Sequence, residues 1–313
     1  MPSADAIDPR TRHYGDFYGL SEPPGDGPVV VIVGNCQAES LRIVLDGGGV
    51  RSVRLPAVHE LVASDLPYLD RWLGEADVLV SQPIRDGYHG LPLGTTEMSG
   101  RMRVASVTVT VPVIRFAGLF PAAALVRPPS DPSLVPPVVE YHDLRLLAEA
   151  AGRGRAGTAG RDKAARPLTT DVVRAVGAHS LAELRKREQA FDTVVASDLF
   201  ERPSFDLMRT LNHPGNPVWN ALAGRVRERL GWPAHDGDPG RPLLDSVHAP
   251  HEEVVLEAWE LDGSPTENWL VHGRVVTSEE VRRAHLDWYA EHPEVVAAGL
   301  ARHADTLALL ESA

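Results

Sequence analysis

Val29-Val-Val-Ile-Val33-Gly34-Asn35-Cys36-Gln37 decides the fold class. Five β-branched residues in unbroken succession read as a short strand covered on both faces, the signature of a buried parallel sheet. Gly34 ends the strand. From Ala38 the apolar positions Ala38, Leu41, Val44 and Leu45 recur at helical spacing, and Asp46-Gly-Gly-Gly49 stops the helix. The unit is therefore strand, tight turn, helix. Ligands of open α/β sheets sit outside the carboxyl ends of the strands, which is where Asn35, Cys36 and Gln37 fall. A thiol at a helix start also meets unpaired N–H groups and the positive end of the helix dipole, both of which favour thiolate.

Working outward, the same pattern recurs. Val50 to Leu55 has strand composition, and Ser64 or Asp65 with Pro67 opens a helix whose apolar face is Leu66, Leu69, Trp72 and Leu73. Asp77 to Ser81 is a further strand, followed by Gln82-Pro83 and the polar segment Arg85 to Gly90. Val104 to Val111 alternates Val with Ser or Thr, and Pro112 separates it from Val113 to Phe116, so one broken strand or two fit. Past a Pro- and Ser-rich loop at 127–137, Tyr141-His142-Asp143 leads into a helix. From Thr170 or Asp171 the chain is more helical, as one long helix or two joined near Gly177. Asn216 and Pro217 start another, and a strand is expected within Trp269 to Val276.

The expected architecture is α/β: a central, mostly parallel sheet flanked by helices, with a more helical C-terminal part. An N-terminal arm covers 1–27, the α/β domain covers 28–255, and a C-terminal extension over 256–313 packs on the core. The Gly/Arg-rich stretch near 151–162 reads as a flexible segment within the domain.

Composition narrows the function. A formal charge of -12, from 31 basic and 43 acidic residues, argues against nucleic acid as a partner, since a general binder carries a basic footprint. No apolar run approaches the roughly 18 residues of a membrane span, and the N-terminus lacks a secretory layout, so a cytoplasmic location is expected. The single cysteine excludes an internal disulfide and any Cys-rich metal centre. His248-Ala-Pro-His251-Glu252-Glu253 does not make a metal site, because proline breaks a helical ligand face and no standard zinc motif accompanies it. Gly34-Asn-Cys-Gln37 is neither a P-loop nor a dinucleotide fingerprint.

Cys36 has two readings, a small apolar residue closing a turn or a nucleophile for acyl chemistry. In the second, backbone N–H groups and the amides of Asn35 or Gln37 stabilise an oxyanion; Gln37 can equally hold the turn. Among 13 histidines, His213 is the best-placed base: Pro214 restricts it and the helix from Asn216 supports it. Gln82, Tyr88 and His142 are polar residues that follow strands or precede a helix, and each is either a cleft residue or a buried partner that fixes a loop.

Gly34-Asn35-Cys36-Gln37 after a Val/Ile strand, Ser81-Gln82-Pro83 with Tyr88, and Leu211-Asn212-His213-Pro214 before a helix together resemble the WcbI-type polysaccharide biosynthesis family over about residues 28–255. The resemblance implies an SGNH-like α/β fold and an acyltransferase, an acetyltransferase in particular, with coenzyme A as ligand and acetyl-CoA as acyl donor. It implies that Cys36 and His213 are catalytic. Gly34, Asn35, Gln37, Gln82, Tyr88, His142 and Asn212 would line the substrate and coenzyme A pocket. The acceptor would be a sugar or another polar small molecule bearing a hydroxyl. A hydrolase cleaving an ester or thioester with water, or a noncatalytic module binding coenzyme A or a glycan, stand as alternatives.

Overall fold

The computed structural model describes residues 7–128, 130–155 and 167–312. The chain divides into two compact units. One holds Met1–Ile114, Arg185–Asp198 and Asn216–Leu243; the other holds Arg115–Leu184, Leu199–Gly215 and Leu244–Ala313.

The first unit opens with α1 (Pro9–His13), then β1 (Val29–Val33), α2 (Cys36–Leu45), β2 (Arg51–Val53), α3 (Leu66–Glu75), β3 (Val78–Ser81), α4 (Thr95–Ser99) and β4 (Val107–Thr110). The strands form one parallel sheet in the order β2-β1-β3-β4. Chain order reverses between β1 and β3, so the crevice at their carboxyl ends is a topological switch point. Successive strand side chains point to opposite faces. Val29, Val31 and Val33 accordingly join Leu69, Trp72 and Leu73 of α3 in one core cluster, while α2 packs against the helix Asn216–Arg229. Fully burying each large apolar side chain of α3 contributes about 1.5–3 kcal/mol.

Most boundaries fall where the residues place them, and the differences have local causes. The helix after β1 begins at Cys36 rather than Ala38, because the Asn35 side chain accepts the Gln37 N–H and caps it two residues earlier. Asp65 precedes α3 without capping it; its buried carboxylate accepts Arg10, Tyr18 and the Val62 N–H instead. Beyond Pro112 no second strand forms, since the N–H and C=O of Ile114 are taken by the Gln37 side chain.

The second unit carries a small core in which Leu144 and Leu147 pack with Val172, Val176, Tyr289 and Val295. Thr170–Phe191 is a single helix. Gly177 lies inside it where Trp259 leaves no space for a side chain: a Cβ there would sit 2.5 Å from Cζ2 of the indole. The strand expected within 269–276 is a hairpin, Asn268–Val271 paired antiparallel with Arg274–Thr277. Its two-residue turn, His272-Gly273, has φ of 48° and 76°, the left-handed pair that a tight hairpin needs. Of the Gly/Arg-rich segment, residues 152–155 end the helix Leu144–Arg155, and 156–162 lie outside the described residues. Among the described residues no helix is long and apolar enough to cross a membrane.

Candidate active site

In the first unit β1 delivers Gly34, Asn35 and Cys36 to its carboxyl end. Gly34 is required by close approach: a Cβ would lie 2.5 Å from Gln82 Oε1. That same oxygen accepts the Asn35 N–H at 2.9 Å, so the residue after β3 fixes the turn after β1. Gln82 in turn donates from Nε2 to Gln37 Oε1 at 3.2 Å. The Gln37 amide reaches across to the segment after β4, donating to Ile114 O at 2.8 Å and accepting from Ile114 N at 3.0 Å. Gln37 is 1% exposed and Gln82 4%. Buried amides must be paired, and these two pair with each other and with backbone.

Open space lies on the β2 side of β1. A cavity of about 230 Å³ borders Asn35 and Cys36, the first turns of α2 and the segment after β2. Cys36 is exposed. Ile32, Leu55 and Ala57 supply apolar surface, and Glu39, Arg42 and Arg54 supply charge. Glu39 accepts Arg42 in a bidentate pair at 2.7 and 3.0 Å and lies 3.2 Å from Arg54 Nε. A negative side chain in the first turn of α2 also opposes the positive helix terminus.

Of the nominated residues in this unit, Asn35 and Cys36 border the cavity, whereas Gly34, Gln37 and Gln82 support the turn that presents them. Tyr88 packs against the unit's core cluster and its ring lies 4.3 Å from His89. Sequence reading missed Tyr14, Glu39, Arg42, Arg54 and Glu60 as cavity residues. Glu39 and Arg42 carried a signal in their i,i+3 spacing, while Tyr14, Arg54 and Glu60 converge only through the fold.

In the second unit His213 and Pro214 form a short strand antiparallel to Met208–Thr210. The imidazole is buried, edge-on to Tyr141 with ring centroids 5.9 Å apart. Tyr141 donates to Asn212 Oδ1 at 2.7 Å and accepts from the Thr210 hydroxyl at 2.8 Å, which fixes the ring against which His213 rests. Burial lowers the His213 pKa; Glu140 opposes that shift, and Arg209 and His248 reinforce it. The ring is therefore neutral at pH 7, the form that accepts a proton. Its Nδ1 is buried with no hydrogen-bond partner among the described residues. His142 bonds through Nδ1 to the Tyr289 hydroxyl at 2.7 Å, and burial, with the nearby His285, pushes its pKa down to about 3.

His248 pairs with Asp245 at 2.8 Å and His251 stacks on Phe205. Among the described residues no group of three or more His, Cys, Asp or Glu is arranged to hold a metal ion.

Residues 29–235 match the model of a family described as polysaccharide biosynthesis enzyme WcbI. A solved structure of a WcbI, described as a novel polysaccharide biosynthesis enzyme in a native form without a disulfide bond between coenzyme A and one of its cysteines, is 16% identical. It superposes with a TM-score of 0.74 over 92% of this chain and 98% of that one. No curated protein matches.

Proposed function

We propose, from the premise that the chain belongs to the WcbI family of polysaccharide biosynthesis enzymes, that it is an acyl-CoA-dependent O-acyltransferase that moves an acetyl group onto a hydroxyl of a sugar or similar polar acceptor. The observation that carries this reading is the exposed Cys36 thiol, held at the first position of α2 beside a cavity at the carboxyl end of β1. A sulfur sealed among aliphatic side chains would have removed the basis for acyl chemistry.

Coenzyme A fits the residues in one respect. A cavity of about 230 Å³ is smaller than the roughly 300–1,000 Å³ of whole-ligand clefts, so it suits the uncharged thioester end of the donor and leaves the nucleotide outside. The donor supplies an acyl group activated as a thioester. The Cys36 sulfur, as thiolate, attacks the acyl carbonyl; a sulfur–carbon bond forms on the enzyme, the thioester carbon–sulfur bond breaks, and the departing thiolate takes up a proton. Asn35, whose Oδ1 caps α2, has its Nδ2–H group to place toward the oxyanion. In the second half the acceptor hydroxyl attacks the acyl-cysteine carbonyl, losing its proton and returning Cys36 as thiolate. His213 is the proposed proton acceptor, a role that rests on the family resemblance and on its neutral ring.

Product analysis tests the reading. Protein mixed with acetyl-CoA and a panel of sugars is expected to give acetyl-sugar with stoichiometric release of coenzyme A. Free acetate formed at the same rate with and without acceptor would replace the transferase by a thioesterase.

A further inference from the structure

Tyr14 stands outside the segment that matches the family, yet it borders the cavity beside Cys36. It is held there firmly. On one side of it in the chain, Arg10 donates to both carboxylate oxygens of Asp65, at 3.0 and 2.8 Å, and to Glu60 O at 3.1 Å. On the other side, Phe17 is fully buried with its carbonyl accepting the Trp72 indole N–H at 3.0 Å, and Tyr18 donates to Asp65 at 2.8 Å. Asp65 is itself 2% exposed and Arg10 36%, so the anchor is half-buried, with a desolvated carboxylate and a cation that keeps contact with water. Tyr14 therefore forms a fixed wall of the cavity.

Around it the polar groups converge. The Tyr14 hydroxyl donates to Glu60 Oε2 at 3.2 Å, and the Arg54 guanidinium lies 5.7 Å from the Tyr14 ring centroid. Both side chains keep part of their surface open to solvent, 38% for Arg54 and 47% for Glu60. A phenol ring, a guanidinium and a carboxylate over an apolar floor of Ile32 and Leu55 offer what a sugar ring asks for. There is a flat apolar surface for its C–H face, with donors and acceptors in fixed directions for neighbouring hydroxyls. The charges on the wall cancel, Arg42 and Arg54 against Glu39 and Glu60, and Asp46, 3.6 Å from Arg42, adds negative charge. An anionic ligand gains nothing there.

We propose that the N-terminal arm carries a specificity wall in which Tyr14, with Arg54 and Glu60, receives an uncharged sugar ring as the acceptor beside Cys36. This rests on the acyltransferase reading for the identity of the ligand as acceptor, but its test reads binding. Methyl glucoside, methyl galactoside, methyl mannoside and methyl glucuronoside are titrated by ligand-observed NMR into the full chain and into Tyr14→Ala, Tyr14→Phe and Glu60→Gln, with coenzyme A titrated in parallel. A neutral glycoside is expected to bind the wild type, to lose about tenfold in affinity in Tyr14→Ala, and to lose less in Tyr14→Phe, which keeps the ring. Coenzyme A affinity is expected to fall less than glycoside affinity in all three, since most of the coenzyme lies outside the cavity. Loss of coenzyme A binding in Tyr14→Ala with glycosides unaffected would assign the wall to the donor and overturn the proposal. Absence of glycoside binding to the wild type, or tighter binding of the glucuronoside than of the neutral sugars, would overturn it as well. If Tyr14→Ala is misfolded by circular dichroism, Tyr14→Phe and Glu60→Gln decide. Glycoside binding that follows these expectations without any acetyl-sugar formed would sink the transferase and leave the wall in place.

Discussion

Replacing Gln37 by leucine tests how the site is supported. The side chain is close in size, so the change deletes polarity rather than volume. Three hydrogen bonds disappear: Gln37 Nε2 to Ile114 O, Ile114 N to Gln37 Oε1, and Gln82 Nε2 to Gln37 Oε1. Ile114 is fully buried, so its N–H and C=O cannot turn to water, whereas the Gln82 amide can relax. Two orphaned backbone groups at about 1–3 kcal/mol each give a loss of roughly 2–6 kcal/mol. That is a large part of the roughly 5–15 kcal/mol that holds a typical protein folded. Urea denaturation followed by tryptophan fluorescence measures it. A companion variant fixes the sign. In Gln37→Glu the carboxyl faces the Ile114 carbonyl, so burial and that oxygen raise its folded pKa above the unfolded value of about 4.3. A protonated carboxyl donates to Ile114 O and restores the pair. Relative to wild type, Gln37→Glu should approach wild-type stability below about pH 4.3 and lose up to about 1.4 kcal/mol per pH unit above it until its folded pKa is passed. Gln37→Leu within about 0.5 kcal/mol of wild type, a surface-like effect, would show that the Gln37–Ile114 bridge does not hold the turn.

Gly34→Ala should cost about 1–3 kcal/mol, the range for overpacking, because its Cβ meets a Gln82 side chain pinned at both ends; a thermal melt indistinguishable from wild type would show that Gln82 yields freely. Arg10→Met should destabilise by about 1–2 kcal/mol, discounted from the roughly 3–5 kcal/mol of a fully buried pair because Arg10 is 36% exposed. Limited proteolysis should then cut near the arm first, and an arm as resistant as in wild type would place its anchor elsewhere. His142, neutral in the folded chain with its pKa pushed down to about 3, binds a proton in the unfolded chain below about pH 6.5. Stability should therefore fall as pH drops from about 6.5 toward 3, by up to about 1.4 kcal/mol per pH unit from this group. His142→Gln should flatten that slope in guanidinium titrations at several pH values, and an equal slope in both proteins would remove His142 as its source.

The strand, turn and helix around Cys36 were legible because each step is local. β-branched residues favour a covered strand, Gly34 ends it, and apolar residues at helical spacing from Ala38 mark the helix. The parallel sheet was legible as a class, from strands alternating with helical patterns, whereas the order of its strands was not. The partners of buried amides were not: Gln37 bonds a residue 77 positions away, and no spacing along the chain announces that. Gln37 and Gln82 each carried two readings in the sequence, pocket residue or buried partner that fixes a turn, and their amide groups do hold the turn. The cavity wall was hidden more deeply. Tyr14 comes from an arm placed by Arg10 and Asp65, 55 positions apart, and an arginine paired with a buried carboxylate looks in sequence like any surface arginine. The hairpin at 268–277 merged into one expected strand because His272-Gly273 lacks the usual Asn-Gly turn signal.

The central claim is that the Cys36 sulfur takes the acyl group. Intact-mass measurement and peptide mapping after brief exposure to acetyl-CoA, without acceptor, test it most directly. One acetyl group is expected on the peptide containing Cys36, discharged when a transferable sugar is added, and no acetylation or turnover is expected in Cys36→Ala. Undiminished acetyl transfer by Cys36→Ala would contradict the account.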